Sequence, residues 1–159
     1  MGEKTKYTAN DIAGWFINRS NQIKIDEKAV EGITNLKLQK IVFLAQAASL
    51  ALNKKPLFDD QIQAWQYGPV IPAIYDKYKN HKNNTIPKPR GKIREIDEDT
   101  KKLLETVWEF FGGYSASQLV KITHSHQPWI EAYNDGQGAF SEISQKSIQA
   151  FYQNIFSRV

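Results

Sequence analysis

Residues 34–52 read TNLKLQKIVFLAQAASLAL, and the way this stretch is read decides the fold. Thr34 offers a hydroxyl that can accept from the free N–H groups of a helix start. Good helix formers follow, and neither Gly nor Pro interrupts them before Pro56. At about 100° per residue the apolar side chains surround the axis. Leu38, Ile41, Val42 and Ala45 make one side, Leu36, Phe43, Ala47 and Leu50 another, and Leu44, Ala48 and Ala51 fill between them. A surface helix keeps a polar half. This one keeps none, so a central, buried helix is expected. Ala45, Ala47, Ala48, Ser49 and Ala51 are small enough to let neighbouring helices approach closely. The polar exceptions are Lys37 and Lys40 near the start, and Gln39 and Gln46, seven apart on one stripe. The glutamines have two readings. They hydrogen-bond neighbouring backbone, the usual fate of a buried amide, or they form a polar strip facing a partner.

Working outward, Thr8 and Asp11 have the spacing of a capping box, and Ile12, Trp15 and Phe16 give a first helix to about Asn21. Residues 25–32 read as a short helix or a loop anchored by Val30 and Ile33. The central helix ends near Asn53, with Lys54 and Lys55 suiting its dipole. Alternation then takes over in residues 61–67, with Ile62 and Ala64 on one face and Trp65 and Tyr67 on the other, which predicts a strand. Gly68-Pro69 is expected to break it. Pro72 suits the first position of a helix to about His81, with Ile71, Ile74, Tyr75 and Tyr78 inward. Prolines and charge make residues 81–91 an extended connection, and residues 92–96 alternate again as a partner for the first strand. A two-stranded ribbon is marginal alone, so it must lean on helices or gain a third strand. Asp97 or Asp99 caps a helix whose stripe is Leu103, Leu104, Val107, Trp108 and Phe111, ending at Gly112-Gly113. Ser115 with Gln118 is a further capping box, Pro128 starts another turn, and residues 134–138 are turn-rich. Ser144 caps a last helix facing the core through Ile148, Phe151, Tyr152, Ile155 and Phe156. The expected fold is mainly α (α+β). A compact multi-helix domain surrounds a buried helix at about 34–53, with a small antiparallel β ribbon at about 61–67 and 92–96.

The chain of 159 residues is expected to form one domain with an ordinary core. A hydrophobic content of 41% argues against disorder. With no cysteine, disulfides and thiolate metal sites are excluded. The N-terminus lacks an apolar run, and the stretch from Ile41 to Leu52 is too short to span a bilayer, so no membrane partner and a soluble, cytoplasmic protein are expected. Net charge is +4, but Lys77, Lys79, Lys82, Lys88, Arg90, Lys92 and Arg94 put +7 into one segment without an acid, leaving −3 elsewhere. Such a cluster attracts nucleic acid or an acidic partner, or is a solvated loop.

Catalytic and metal patterns are weak. His124 and His126 lie two apart, about 200° around a helix, and with no cysteine and only His81 remaining, no metal is expected. His124 reads as a buried ring fixed by hydrogen bonds near Thr123 and Trp129. Gly136-Gln137-Gly138 lacks the third glycine and the strand of a dinucleotide fingerprint, and there is no phosphate loop or nucleophile elbow. The acids at 59–60 and 97–99 sit at element ends, where capping explains them. Neither a cofactor nor catalysis is expected. Trp65 and Tyr67 would be an adhesive patch if exposed; the commoner outcome for aromatics is the core.

TNLKLQKIVFLAQ, followed by FDDQIQAWQYGPVIPAIYDKYK and later YSASQLVKITHSHQPW, resembles the Panacea domain family of SocA-like and GepA-like phage-associated proteins. The resemblance runs from about Tyr7 onward and singles out Lys37, Gln39, Lys40, Gln46, Trp65, Tyr67, Gly68, Pro69, Thr123, His124, Pro128 and Trp129 as motif or partner-binding positions. It implies an antitoxin that neutralises a cognate protein toxin from the same operon by direct contact, and in some relatives delivery of that toxin to a AAA+ protease. The competing expectation is a prophage-associated nucleic-acid-binding regulator, motivated by the basic segment. Against it, that segment is broken by prolines and offers no recognition helix.

Overall fold

The computed structural model describes residues 5–27 and 32–156, with side chains described for 5–22 and 32–156. Its centre is the helix expected there, α2 (Asn35–Asn53). Thr34 is its N-cap and accepts from the Lys37 N–H. Every side chain from Leu38 to Ala51 is buried. α1 (Ala9–Glu27), α4 (Glu98–Phe111), α5 (Ala116–His124) and α7 (Gln145–Phe156) pack around it, and α3 (Pro72–Tyr78) lies against its first half and α1. Between them comes α6 (Gln127–Tyr133), which Pro128 opens and which joins α5 to α7.

The caps explain the register of these helices. Thr8 and Asp11 exchange hydrogen bonds at the head of α1, and Asp60 reaches across to accept from the Ala9 N–H. Asp97 caps α4, Ser115 and Gln118 close a reciprocal box on α5, and Ser144 accepts from Ser147 at the head of α7. α1 extends past the expected end at Asn21 to Glu27, so the first part of the segment read as a second helix continues the first. Residues 28–31, including Val30, lie outside the described residues, while Ile33 is fully buried. Two side chains expected inward are not: Leu36 is 40% exposed at the first turn of α2, and Ile155 is 45% exposed on α7.

The β element is small and antiparallel, as expected, but its second strand is a different one. β1 (Gln63–Trp65) turns through Gln66-Tyr67 into β2 (Gly68–Val70), pairing Gln63 with Val70, Ala64 with Pro69 and Trp65 with Gly68. Gly68-Pro69 therefore begins the return strand and does not end the ribbon. Gly68 takes φ +112, which only a residue without Cβ adopts without strain. The missing N–H of Pro69 costs nothing at a ribbon edge. On its other side β1 is hydrogen-bonded by residues 140–143: Ala64 donates to Ser141, Phe140 to Ala64 and Ile143 to Ile62. That third partner supplies the support a lone ribbon lacks.

Residues 92–96 form no strand because their polar backbone is engaged elsewhere. The Asp11 carboxylate accepts from Arg94 N–H at 2.9 Å and the Tyr7 hydroxyl from Asp97 N–H at 2.9 Å, while Ile93 seats over Gly14. With Ile86 and Ile96 also buried, residues 83–96 form a strap packed on α1. They are not the open connection the prolines suggest.

Candidate functional site

The motif residues converge on the hairpin. Lys40 is carried by α2 into the interior with no exposed surface, and its Nζ donates to the Pro69 carbonyl at 2.9 Å. Burial pushes its pKa down from 10.5 to about 7. A Cβ at Gly68 would stand 2.9 Å from Lys40 Cε and 3.0 Å from Thr123 Oγ1, so glycine is needed here for room as well as for φ. Thr123 is buried and turns its hydroxyl back on its own helix, donating to the Leu119 carbonyl at 3.0 Å. His124 stacks on Trp129 with ring centroids 4.0 Å apart, and Trp129 Nε1 donates to the Trp65 carbonyl at 2.8 Å. Side chains of two helices thus hold the hairpin at residues 65 and 69.

His124 is half-buried and stacked on Trp129, with a hydrogen bond to the Gln66 backbone, and its Nε2 is buried without a partner among the described residues. Burial lowers its pKa, the Gln66 backbone works in the opposite sense, and the Lys40 charge lowers it further. His126 faces elsewhere. Its Nδ1 lies 2.7 Å from the Tyr152 hydroxyl, and burial lowers the histidine and raises the tyrosine. Among the described residues no group of three or more His, Asp or Glu is placed to hold a metal ion.

Held from beneath, the hairpin presents aromatic rings outward. Tyr67, at its loop, is 61% exposed, against the expectation of a core position. Trp65 is half-buried, donates its Nε1 to Gln63 Oε1 at 3.0 Å, and packs tilted against Tyr75 at 4.9 Å and edge-on against Phe140 at 5.4 Å. Phe140 is 64% exposed on a backbone with φ +70, a conformation in which a bulky side chain is an outlier. Tyr133 extends the face by stacking on Trp129 at 4.7 Å. Phe140 and Tyr133 were missed by sequence reading, because single aromatics flanking a turn-rich segment carry no periodicity.

Several singled-out residues make their contacts within the fold. Gln39 accepts from Ile71 N–H and donates to Asn35, and Gln46 accepts from Leu57 N–H and donates to the Phe58 carbonyl. Both are buried amides whose oxygens accept from backbone N–H groups, as in the first reading. Lys37 donates to the Gly112 carbonyl and lies over the Trp108 ring, tying α2 to the end of α4. Pro128 is buried.

Of the basic residues, Lys79, Lys82, Lys88, Arg90, Lys92 and Arg94 are exposed and Lys77 is half-buried. Arg90 and Arg94 are held in place by the Lys77 and Lys6 carbonyls. Among the described residues, only Lys79 of the seven has a carboxylate at ion-pair distance, Asp76 at 3.6 Å.

The hairpin and its anchors coincide with a known family. Residues 38–130, more than half of the chain, match the family model described as Antitoxin SocA-like, Panacea domain, and the chain belongs to that family. Antitoxin SocA of Caulobacter vibrioides (strain NA1000 / CB15N) is 33% identical over 109 residues, which cover 61% of this chain and 58% of the relative. The chain thus spans less than two thirds of that relative's length. No solved structure matches. The matched span takes in Lys40, the hairpin, Thr123, His124 and Trp129, and leaves Phe140 outside.

Proposed function

We propose that this protein is an antitoxin that neutralises a cognate polypeptide toxin, encoded in the same operon, by direct stoichiometric contact. The observation that carries the reading is membership of the SocA-like antitoxin family through the residues that build and anchor the hairpin. The geometry is of a suitable kind. A rigidly supported loop presents Tyr and Trp side chains, residue types that supply much of the energy at protein interfaces. The test is co-expression with the neighbouring small gene. The product of that gene should arrest growth alone, be tolerated with this protein present, and co-purify with it. A harmless neighbour, or two products that never co-purify, overturns the reading. If the toxin also disappears, and does so only in protease-proficient cells, delivery to a AAA+ protease is the route.

Nucleic-acid regulation is the weaker reading. The basic residues lie mainly on an extended strap and not along one face of a helix that could enter a groove. A gel shift that stays flat at low salt disposes of it.

A further inference from the structure

We infer that the toxin docks across the hairpin, the outer side of α3 and the strap beyond it, and that the segment seated there is acidic around an apolar anchor. This inference rests on the reading above and names the surface and the chemistry of its partner.

The apolar centre is the cluster of Trp65, Tyr67, Tyr75 and Phe140. The strain at Phe140 is the first reason to regard it as a built surface. A phenylalanine held at φ +70 gains nothing from exposure, and strained backbone persists where the surroundings over-determine it, often at binding sites. Tyr75 then links the rings to the charge, because Lys79 follows it at i+4, and Lys82 ends the 3-10 turn that continues α3. Lys77, about 200° around α3 from Tyr75, stands on the other flank of the helix beside the strap, its Nζ 3.6 Å from where a Gly91 Cβ would be. From there Lys88, Arg90, Lys92 and Arg94 continue the strip along a segment fastened by its buried isoleucines. Six of these seven cations have no carboxylate at ion-pair distance among the described residues. Interfaces combine an apolar core with a polar rim of complementary sign, and this rim asks for Asp and Glu.

The rings favour a polypeptide over single-stranded nucleic acid. Base stacking needs an open ring face, whereas of the two tryptophans Trp65 is already packed by a tilted Tyr75 and an edge-on Phe140, and Trp129 is stacked between His124 and Tyr133.

The test uses the full chain, two variants and three probes. Phe140→Gly removes the ring and relieves its backbone. Lys77→Glu/Lys88→Glu/Lys92→Glu reverses cations that make no hydrogen bond within the described protein. The probes are the neighbouring gene product, short peptides with a central Trp-Leu flanked by Glu or by Lys, and oligothymidylate. Wild type should bind the toxin and the Glu-flanked peptide. Each variant, with unchanged circular dichroism, should weaken both by about ten-fold or more. If the toxin binds and neither variant changes its affinity, the surface is wrong while the antitoxin reading stands. If the Glu-flanked peptide binds in a variant-sensitive way and the toxin does not bind, the surface stands and that toxin is excluded. Equal binding of Lys-flanked peptide, or tighter binding of oligothymidylate, overturns the inference.

Discussion

Lys40 is where burial and charge conflict most directly. Its pKa falls from 10.5 to about 7 in the folded protein, so between those values the unfolded chain holds more protons. Stability contributed by this group is therefore complete above pH 10.5 and is lost as pH falls toward 7. At about 1.4 kcal/mol per pKa unit the effect at neutral pH is on the order of 4 kcal/mol. Lys40→Met should stabilise the protein at pH 7 by about 1–3 kcal/mol, because the abandoned Pro69 carbonyl offsets part of the gain. Denaturant titrations at several pH values should show that advantage shrinking as pH rises; a difference independent of pH contradicts the assignment. At Gly68 an added Cβ meets both strain and Lys40, so Gly68→Ala should cost about 2–3 kcal/mol by the same measurement. Phe140→Gly behaves oppositely. Relief of roughly 1 kcal/mol of left-handed strain offsets a ring contact of similar size, so its Tm should barely move.

At the scale of elements, what was legible in the sequence was whatever has period or punctuation. The all-round apolarity of residues 34–52 gave the buried helix α2, and Thr34, Asp97, Ser115 with Gln118 and Ser144 marked helix starts correctly. Each such cap is worth about 1 kcal/mol, so Ser115→Ala should lower thermal stability by that order, and no change would discount the box at α5. The strap was misread because alternation in 92–96 is a weak signal beside a buried carboxylate. Asp11 is only 3% exposed, and it accepts from both Thr8 and Arg94 N–H groups, joining α1 to a segment 83 residues away. Nothing local in the sequence announces that bond. Asp11→Ala should cost about 2 kcal/mol and speed amide exchange in residues 92–97; protected amides there would contradict this account of the strap. The hairpin was half legible. Gly68-Pro69 was read as punctuation, since the side-chain ties from Lys40 and Trp129 that make it a strand are long-range.

For the whole molecule, the separated sequence motifs meet in the tertiary structure at one hairpin. LKLQK gives the lysine beneath the hairpin, AWQYGP the hairpin, and the THSHQPW segment the threonine wall and the tryptophan that holds its first strand. Three separated pieces of chain thus serve one small structure, which is why any single motif is weak and their order is specific. The candidate face was less legible than the fold. Trp65, Tyr67 and the basic run were visible, whereas Tyr75 reads as core and Phe140 as loop until the chain closes. The +7 segment becomes a surface feature only because its isoleucines fasten it to α1.

The most direct measurement is a titration of the purified toxin's activity with this protein, in the absence of nucleotide and protease. Direct neutralisation predicts that activity falls linearly and ends at equimolar protein. Full toxin activity in the presence of excess protein would contradict it.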